Sequence, residues 1–101
     1  MTVQTPKQSA SGKPSLFTLG ELCSTPGALH QINMTEIAAA LARHNEGDWG
    51  ECDSEDWEQN EQALRDGSRL FSVYRSSNGV KFWIITEADR SATTVLLPDE
   101  Y

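Results

Sequence analysis

The 101-residue sequence lacks the features that identify several large classes of protein. It contains no apolar run near the roughly 18 residues that a transmembrane helix requires, and residues 1–15 lack the apolar stretch of a secretory signal. Basic residues are scarce, because eight Lys and Arg stand against 15 Asp and Glu and give a net charge of −7. We therefore expect a cytoplasmic protein with no membrane contact, and the charge disfavours a nucleic-acid partner.

Metal and cofactor motifs are missing as well. Cys23 and Cys52 belong to no C-x-x-C pair, so we predict no structural zinc site and expect reduced, buried thiols. Four residues of metal-ligand type follow His44, but their spacing matches no known site pattern. They are Asp48, Glu51, Cys52 and Asp53. The glycines form neither a phosphate-binding loop nor a dinucleotide fingerprint. The sequence therefore predicts no metal and no cofactor. We expect His44 either to end an apolar helix stripe or to help cap the helix C-terminus as a cation.

Apolar and charged residues are unevenly distributed along the chain. Val3 is the only Leu, Ile, Val or Phe among the first 15 residues, whereas residues 16–101 hold the other 19. This contrast predicts a disordered polar tail over residues 1–15 and a single folded domain over residues 16–101. Residues 44–64 contain eight acidic residues and no Lys or Arg, so we expect an acidic flank on the domain.

Capping residues predict where the helices begin and end. Thr25 before Pro26 is typical of a helix start, and Asn33 with a glutamate three residues later resembles a capping box. Ser54 is expected to cap a further helix that stops at Gly67.

The C-terminal third has the alternation of a three-stranded antiparallel meander. Asn78-Gly79 is a strong hairpin signal, and a two-residue turn there places Tyr74 opposite Trp83. The other expected pairs in this hairpin are Val73 with Ile84 and Phe71 with Thr86. Between the second and third strands the expected pairs are Thr86 with Thr93, Ile84 with Val95 and Trp83 with Leu96. With a short strand within residues 16–22 and two or three helices, the sequence predicts an α+β domain.

This pairing sorts the side chains of the meander into two faces. The first face is nearly pure hydrocarbon, and we expect it to pack against the main helix. It holds Phe71, Val73, Phe82, Ile84, Val95 and Leu97. The second mixes aromatic, aliphatic and hydroxyl groups and holds Leu70, Ser72, Tyr74, Lys81, Trp83, Ile85, Thr94 and Leu96. We expect the mixed face to be half covered by the N-terminal segment or to bind a partner.

Three features are candidate binding surfaces. On the mixed face, Tyr74 and Trp83 beside Lys81 either stack a base and hold a phosphate or form an ordinary cross-strand pair. Trp49, with a glycine close on each side, either packs onto the sheet or is an exposed anchor for a partner. The third is the acidic run, in which the candidate docking residues are Glu51, Asp53, Glu55, Asp56 and Glu58.

Four segments of the chain, residues 45–50, 63–67, 72–75 and 83–98, resemble a family of small bacterial proteins that are common on plasmids and integrative elements. The likeness covers roughly residues 17–101, and the last segment is its specific part. Family members are usually described as hypothetical or plasmid-related, and sometimes as type I restriction–modification subunits. The resemblance implies an association with mobile DNA and assigns no catalytic residues.

Three functional hypotheses remain open at this point. The leading one is a non-enzymatic accessory protein of mobile DNA that binds a protein partner through its acidic helix or its mixed sheet face. The order of helices and meander also resembles the layout of barnase, colicin and toxin-type endoribonucleases, for which the candidate catalytic residues are Tyr74, Arg75, Arg90, Thr93 and His44. The third is an acidic DNA mimic that blocks restriction, which requires the acids of residues 46–61 to lie on one surface. The sequence does not indicate an oligomeric state.

Overall fold

A computed structural model describes residues 14–101, so most of the expected polar tail lies outside the described residues. The elements, in chain order, are β1 (Glu21–Ser24), α1 (Pro26–Gln31), α2 (Met34–Asn45), α3 (Ser54–Asp66), β2 (Leu70–Arg75), β3 (Lys81–Thr86), β4 (Ala92–Leu96) and a final 3-10 turn (Pro98–Glu100). The predicted α+β class is confirmed, with a short N-terminal strand, three helices and a C-terminal meander. The N-terminal strand was expected within residues 16–22 and lies instead at Glu21–Ser24. Within residues 14–101 no helix is long and apolar enough to cross a membrane.

The four strands form one sheet in the order β1-β4-β3-β2. The pairs β2–β3 and β3–β4 are antiparallel, whereas β1 pairs with β4 in parallel. The sheet is therefore mixed, and the N-terminal strand extends the predicted meander at its β4 edge. The Thr93 hydroxyl strengthens this junction by donating a hydrogen bond to the carbonyl oxygen of Leu19 at 2.7 Å.

The first two helices begin at the predicted caps. Thr25 Oγ1 accepts a hydrogen bond from the Ala28 N–H at 3.2 Å, and Asn33 Oδ1 accepts one from the Glu36 N–H at 2.9 Å. Each cap satisfies a backbone donor that the first helical turn would otherwise leave without a partner.

The third helix has a different cap from the predicted one. Asp53, not Ser54, is the cap, and its carboxylate accepts a hydrogen bond from the Asp56 N–H at 2.8 Å. An aspartate suits this position because its negative charge lies at the positive end of the helix dipole. The helix ends as predicted at Gly67, which has a left-handed conformation with φ of 78°.

The β2–β3 hairpin differs by one residue from the predicted pairing. Ser76 donates its N–H to the Val80 carbonyl oxygen at 2.9 Å, so the loop has three residues, 77–79, and not two. A two-residue turn needs positive φ at both Asn78 and Gly79, but only Gly79 has it, at 84°. Tyr74 therefore pairs with Phe82 and not with Trp83. The predicted β3–β4 pairs are all confirmed.

This shift exchanges the two faces of β2. Tyr74 joins Phe82, Ile84 and Val95 in the cluster that packs against α1 and α2, where Ile37 lies at its centre. Leu70 is likewise buried beside Trp49, in a second cluster with Ala63 of α3. The predicted hydrocarbon face was thus correct for β3 and β4 and wrong for β2, whose Phe71, Val73 and Arg75 lie on the opposite face.

Polar contacts hold the hairpin loop against the helices. The Glu36 carboxylate accepts hydrogen bonds from the Ser77 N–H at 2.7 Å and from the Ser77 hydroxyl at 2.6 Å. These hydrogen bonds, the hydroxyl first, lower the pKa of Glu36. The Asn78 side-chain amide also donates to the Gln31 carbonyl oxygen at 3.4 Å. These contacts join the hairpin loop to the N-terminus of α2 and the end of α1.

The segment that follows α2 closes against the outer edge of β2. The Val73 N–H donates to the Trp49 carbonyl oxygen at 3.2 Å, and the Glu51 N–H donates to the Val73 carbonyl oxygen at 2.7 Å. Gly50 lies between these bonds with φ of 71°, and a Cβ atom there would lie 1.9 Å from the Val73 carbonyl oxygen. No side chain fits at this position without displacing the backbone.

We predict that Gly50→Ala destabilises the protein far more than Gly67→Ala. Both glycines have positive φ, but a Cβ at Gly67 meets nothing within 4 Å, so that variant measures the conformational cost alone, about 1 kcal/mol. Gly50→Ala adds the collision with Val73 and should lower the free energy of unfolding by roughly 3 kcal/mol or more. Urea denaturation of both variants measures the difference. Equal losses would contradict the close approach of residues 49–51 to β2.

Candidate functional site

His44 lies at the centre of a buried hydrogen-bonded chain. Its Nδ1 is 2.5 Å from Ser72 Oγ and its Nε2 is 2.9 Å from Thr86 Oγ1, which is 2.7 Å from Thr93 Oγ1. Because the Thr93 hydroxyl donates to Leu19, it accepts from Thr86, and the single proton of Thr86 is then used. His44 Nε2 therefore donates to Thr86, and in a neutral imidazole Nδ1 then accepts from Ser72.

Burial lowers the pKa of His44 to about 3, and the positive charge of Arg90 adds to the effect. A base with so low a pKa, with both ring nitrogens occupied and the ring fully buried, is not available to a substrate. The expectation that His44 ends the apolar stripe of its helix agrees with its burial, but its partners are the hydroxyl groups of Ser72 on β2 and Thr86 on β3. The alternative of a cation that caps the helix is wrong, because burial keeps the imidazole neutral at pH 7.

The other candidate catalytic residues also have structural partners. Tyr74 is only 2% exposed, and its hydroxyl donates to the Asp48 carbonyl oxygen at 2.7 Å. Burial is the main cause that raises the pKa of Tyr74 well above its usual value. Arg75 lies on the other face of the sheet and forms an ion pair with Glu51 at 3.2 Å.

Arg90 is a helix cap in the structure. Its guanidinium donates to the carbonyl oxygen of Ala63 at 3.1 Å and to that of Ser68 at 2.6 Å, at the end of α3. It also donates to the carbonyl oxygens of Glu87 and Ala88 in its own turn. A cation at the negative end of a helix dipole is stabilising. Tyr74, His44 and Thr93 thus share the buried face, whereas Arg75 and Arg90 lie elsewhere, and the five residues form no accessible cluster.

Trp49 is a core residue and not an exposed anchor. Its side chain is fully buried, and its indole N–H donates to Glu61 at 2.9 Å. The ring stacks on Phe17 with centroids 6.4 Å apart and meets His44 edge-on at 5.6 Å. The expectation that it packs inside the domain is therefore confirmed, and the anchor interpretation is wrong.

The predicted aromatic pair of Tyr74 and Trp83 does not exist, because the two side chains lie on opposite faces. Trp83 is half-buried on the face away from the helices and contacts Phe71 edge-on, with ring centroids 5.0 Å apart. Tyr101 approaches Trp83 from the C-terminal end, at 5.8 Å. Lys81 is exposed on the same face.

Several acidic residues of the predicted docking run have structural roles. Asp48 pairs with Arg43 at 2.7 Å, Glu51 pairs with Arg75, Asp53 caps α3 and Glu61 accepts from Trp49. These four acids contact different elements of the domain.

Glu55 and Glu58 differ from these residues. Both are exposed on α3, and no ion pair or hydrogen bond within residues 14–101 involves either side chain. With Glu61 they border an open cleft of about 630 Å³ whose other lining residues are Cys52, Ser54 and Trp57. The half-buried Trp57 and Cys52 give the cleft an apolar floor, and the three glutamates give it an acidic rim. We call this feature the α3 cleft.

The two cysteines have different environments. Cys52 is half-buried, its Sγ donates to the Phe71 carbonyl oxygen at 3.4 Å, and burial raises its pKa to about 11. It is therefore a neutral thiol at pH 7 and a weak nucleophile. Cys23 is exposed on β1, which corrects the expectation that both thiols are buried.

Among residues 14–101 no group of three or more His, Cys, Asp or Glu side chains is placed to hold a metal ion. The chain matches no known protein family, no curated protein and no solved structure.

We predict that His44 makes the protein acid-sensitive. The folded-state pKa of about 3 is below the ordinary value, so the unfolded state binds the proton first as the pH falls below about 6.5, and stability is lost. From pH 7 to pH 5 the wild type should lose about 2 kcal/mol more than His44→Gln. The free energy of unfolding measured at several pH values tests this difference.

His30 provides the matched control because it is exposed on α1. His30→Gln should keep the wild-type pH slope between pH 7 and pH 5. An identical slope in His44→Gln and the wild type would show that the buried imidazole is not the group responsible.

Proposed function

We propose that the chain is a small non-enzymatic interaction protein of mobile DNA that acts in the cytoplasm and binds a basic segment of a protein partner in the α3 cleft. The observation that carries this proposal is the combination of an apolar floor, Trp57 and Cys52, with exposed glutamates at its rim. The association with mobile DNA depends on the resemblance of residues 83–98 to proteins of plasmids and integrative elements.

The charge of the rim is not required for the helix itself. Asp53 already caps α3, and Glu55 and Asp56 lie in its first turn, where the helix dipole favours them. Glu58 lies beyond the first turn, where that benefit has fallen off. The Glu58 side chain is exposed beside Trp57 and remains available to a partner.

The chemistry of the cleft favours arginine or lysine on the partner. A guanidinium stacks favourably on an indole face and forms two parallel hydrogen bonds with a carboxylate, so Trp57 together with Glu55 or Glu58 can hold one arginine. The methylene groups of the same side chain cover the apolar floor. Arg43 and Arg75 pair with Asp48 and Glu51. Arg65, which lies near Glu55 and Glu58 on α3, donates a hydrogen bond to the Gln62 side chain at 2.9 Å and forms no ion pair with the rim.

The structure gives the other hypotheses less support. The candidate ribonuclease residues are buried or form caps and ion pairs. On the sheet face that carries Trp83, Lys81 is exposed. The acids that a DNA mimic would display are divided between different structural contacts. A binding role for the α3 cleft requires none of these residues to change partner.

A short arginine-rich peptide tests the proposal directly. Titrated into the labelled protein, it should shift the NMR signals of the Trp57 indole and of residues 52–61, and added salt should weaken the binding. The double variant Glu55→Gln with Glu58→Gln should weaken it about fivefold, since each exposed ion pair contributes roughly 0.2–1 kcal/mol.

The double variant Glu87→Gln with Asp99→Asn is the matched control, because both residues are exposed acids outside α3. It should bind the peptide like the wild type. Equal weakening in both double variants, shifts centred on Trp83, or no binding at low salt would contradict a docking site in the α3 cleft.

The genes that flank this one test the association with mobile DNA. We expect a relaxase, integrase or restriction system nearby in most genomes that carry a close relative. Flanking genes of central metabolism in those genomes would contradict this part of the proposal and would leave the peptide experiment unaffected.

A further inference from the structure

The two edge strands of the sheet differ in whether their outward backbone groups have hydrogen-bond partners. At the β2 edge, the Asn60 side chain accepts from the Phe71 N–H at 2.9 Å and donates to the Phe71 carbonyl oxygen at 2.6 Å. The next outward residue, Val73, exchanges hydrogen bonds with residues 49–51. Residues 60 and 49–51 therefore occupy the places that another strand would take, and the β2 edge is closed along most of its length.

The β1 edge is open in the described part of the chain. The Glu21 N–H donates to the Ser91 carbonyl oxygen, and the Thr25 N–H donates to the Val95 carbonyl oxygen. The odd-numbered residues of this segment therefore point their backbone groups toward β4. Because these groups alternate along a strand, those of Leu22 and Ser24 point away from the sheet. No residue within 14–101 forms a hydrogen bond with either, and the Leu22 side chain is 57% exposed.

We propose that β1 pairs antiparallel with β1 of a second copy of this chain, which joins two four-stranded sheets into one of eight strands. The occupant is a second copy because the two edges of this chain allow only one mode of self-association. With the β2 edge closed, β1 can meet only β1, and the contact is a closed two-fold dimer instead of an open filament.

The sequence of β1 fits such a pair. The symmetric register that uses all outward backbone groups places Leu22 opposite Ser24 of the second copy, and Ser24 opposite Leu22. It places Glu21 opposite Thr25 and Cys23 opposite its own counterpart, so no like charges face each other. Pro26, which lacks an N–H, ends the pairing at one side.

The distribution of charge also permits this contact. Strands lie about 4.8 Å apart, so β1 is about 14 Å from β2, and α3 lies at the β2 edge. In the dimer the two β2 edges are about 34 Å apart, several times the Debye length of about 8 Å at physiological salt. The α3 helices of the two copies, with their acidic residues, therefore lie far apart. The acidic side chains at the contact include Glu21 of β1 and Glu100, which accepts hydrogen bonds from Thr25 and Gly27.

The contact is small, since β1 has four residues and only two of them present outward backbone groups. Interfaces below about 1,000 Å² are weak or transient. We therefore expect a dimer that depends on protein concentration, with monomer prevailing at about 10 µM and dimer at about 1 mM.

Sedimentation equilibrium over this concentration range measures the association, and amide hydrogen exchange locates it. The amides of Leu22 and Ser24 should exchange more slowly as the concentration rises. Leu22→Lys should abolish the dimer, because it places two lysines diagonally across the two-fold axis. Near-ultraviolet circular dichroism and the melting temperature check that the variant is folded.

Leu29→Lys is the matched control, since Leu29 is a similarly exposed leucine, 51%, on α1. It should dimerise like the wild type. A wild type that stays monomeric at about 1 mM would overturn the proposal. Unprotected amides at Leu22 and Ser24 in a dimer, or a dimer that persists in Leu22→Lys, would overturn it as well. The outcome does not depend on the α3 cleft, because that site lies at the other edge.

Discussion

The three-residue loop after β2 decides which side chains of β2 enter the core, because its length sets the pairing of β2 with β3. Hydrogen bonds from Ser77 to Glu36 hold this loop at the start of α2. With this pairing, Tyr74 lies under the helices and Ser72 reaches His44. The buried polar chain depends on this pairing through Ser72, and the position of residues 48–51 at the sheet edge depends on it through Tyr74 and Val73.

Local signals in the sequence predicted much of this fold. Capping residues located α1 and α2, and the β3–β4 pairing followed from alternation and turn length. Asn78-Gly79 misled because the same glycine also suits a three-residue loop, in which the Gly79 N–H donates to the Ser76 carbonyl oxygen and Gly79 has the left-handed conformation. Glu36, 41 positions from Ser77, adds hydrogen bonds to this loop that no local pattern reveals. The partners of His44 were hidden for the same reason: Ser72 was assigned to the opposite face by the one-residue error.

The candidate site shows a similar division between what the sequence could and could not indicate. The acidic run was visible as a charge pattern, but its members differ in role. Asp53 caps a helix and Glu51 pairs with Arg75, whereas Glu55 and Glu58 border the α3 cleft. Only the fold separates acids that stabilise the chain from acids that remain for a partner. The same fold closes the β2 edge with Asn60 and leaves β1 open, so the two proposed contacts lie at opposite ends of the sheet.

The pairing of β2 with β3 is tested most directly by nuclear Overhauser effects between α-protons of facing residues. In an antiparallel sheet these protons are close in the pairs that share no hydrogen bonds, which here are Val73 with Trp83 and Phe71 with Ile85. The structure predicts strong effects for both pairs. An effect between the α-protons of Tyr74 and Trp83 would instead indicate the two-residue turn, place Tyr74 outside the core and contradict the account.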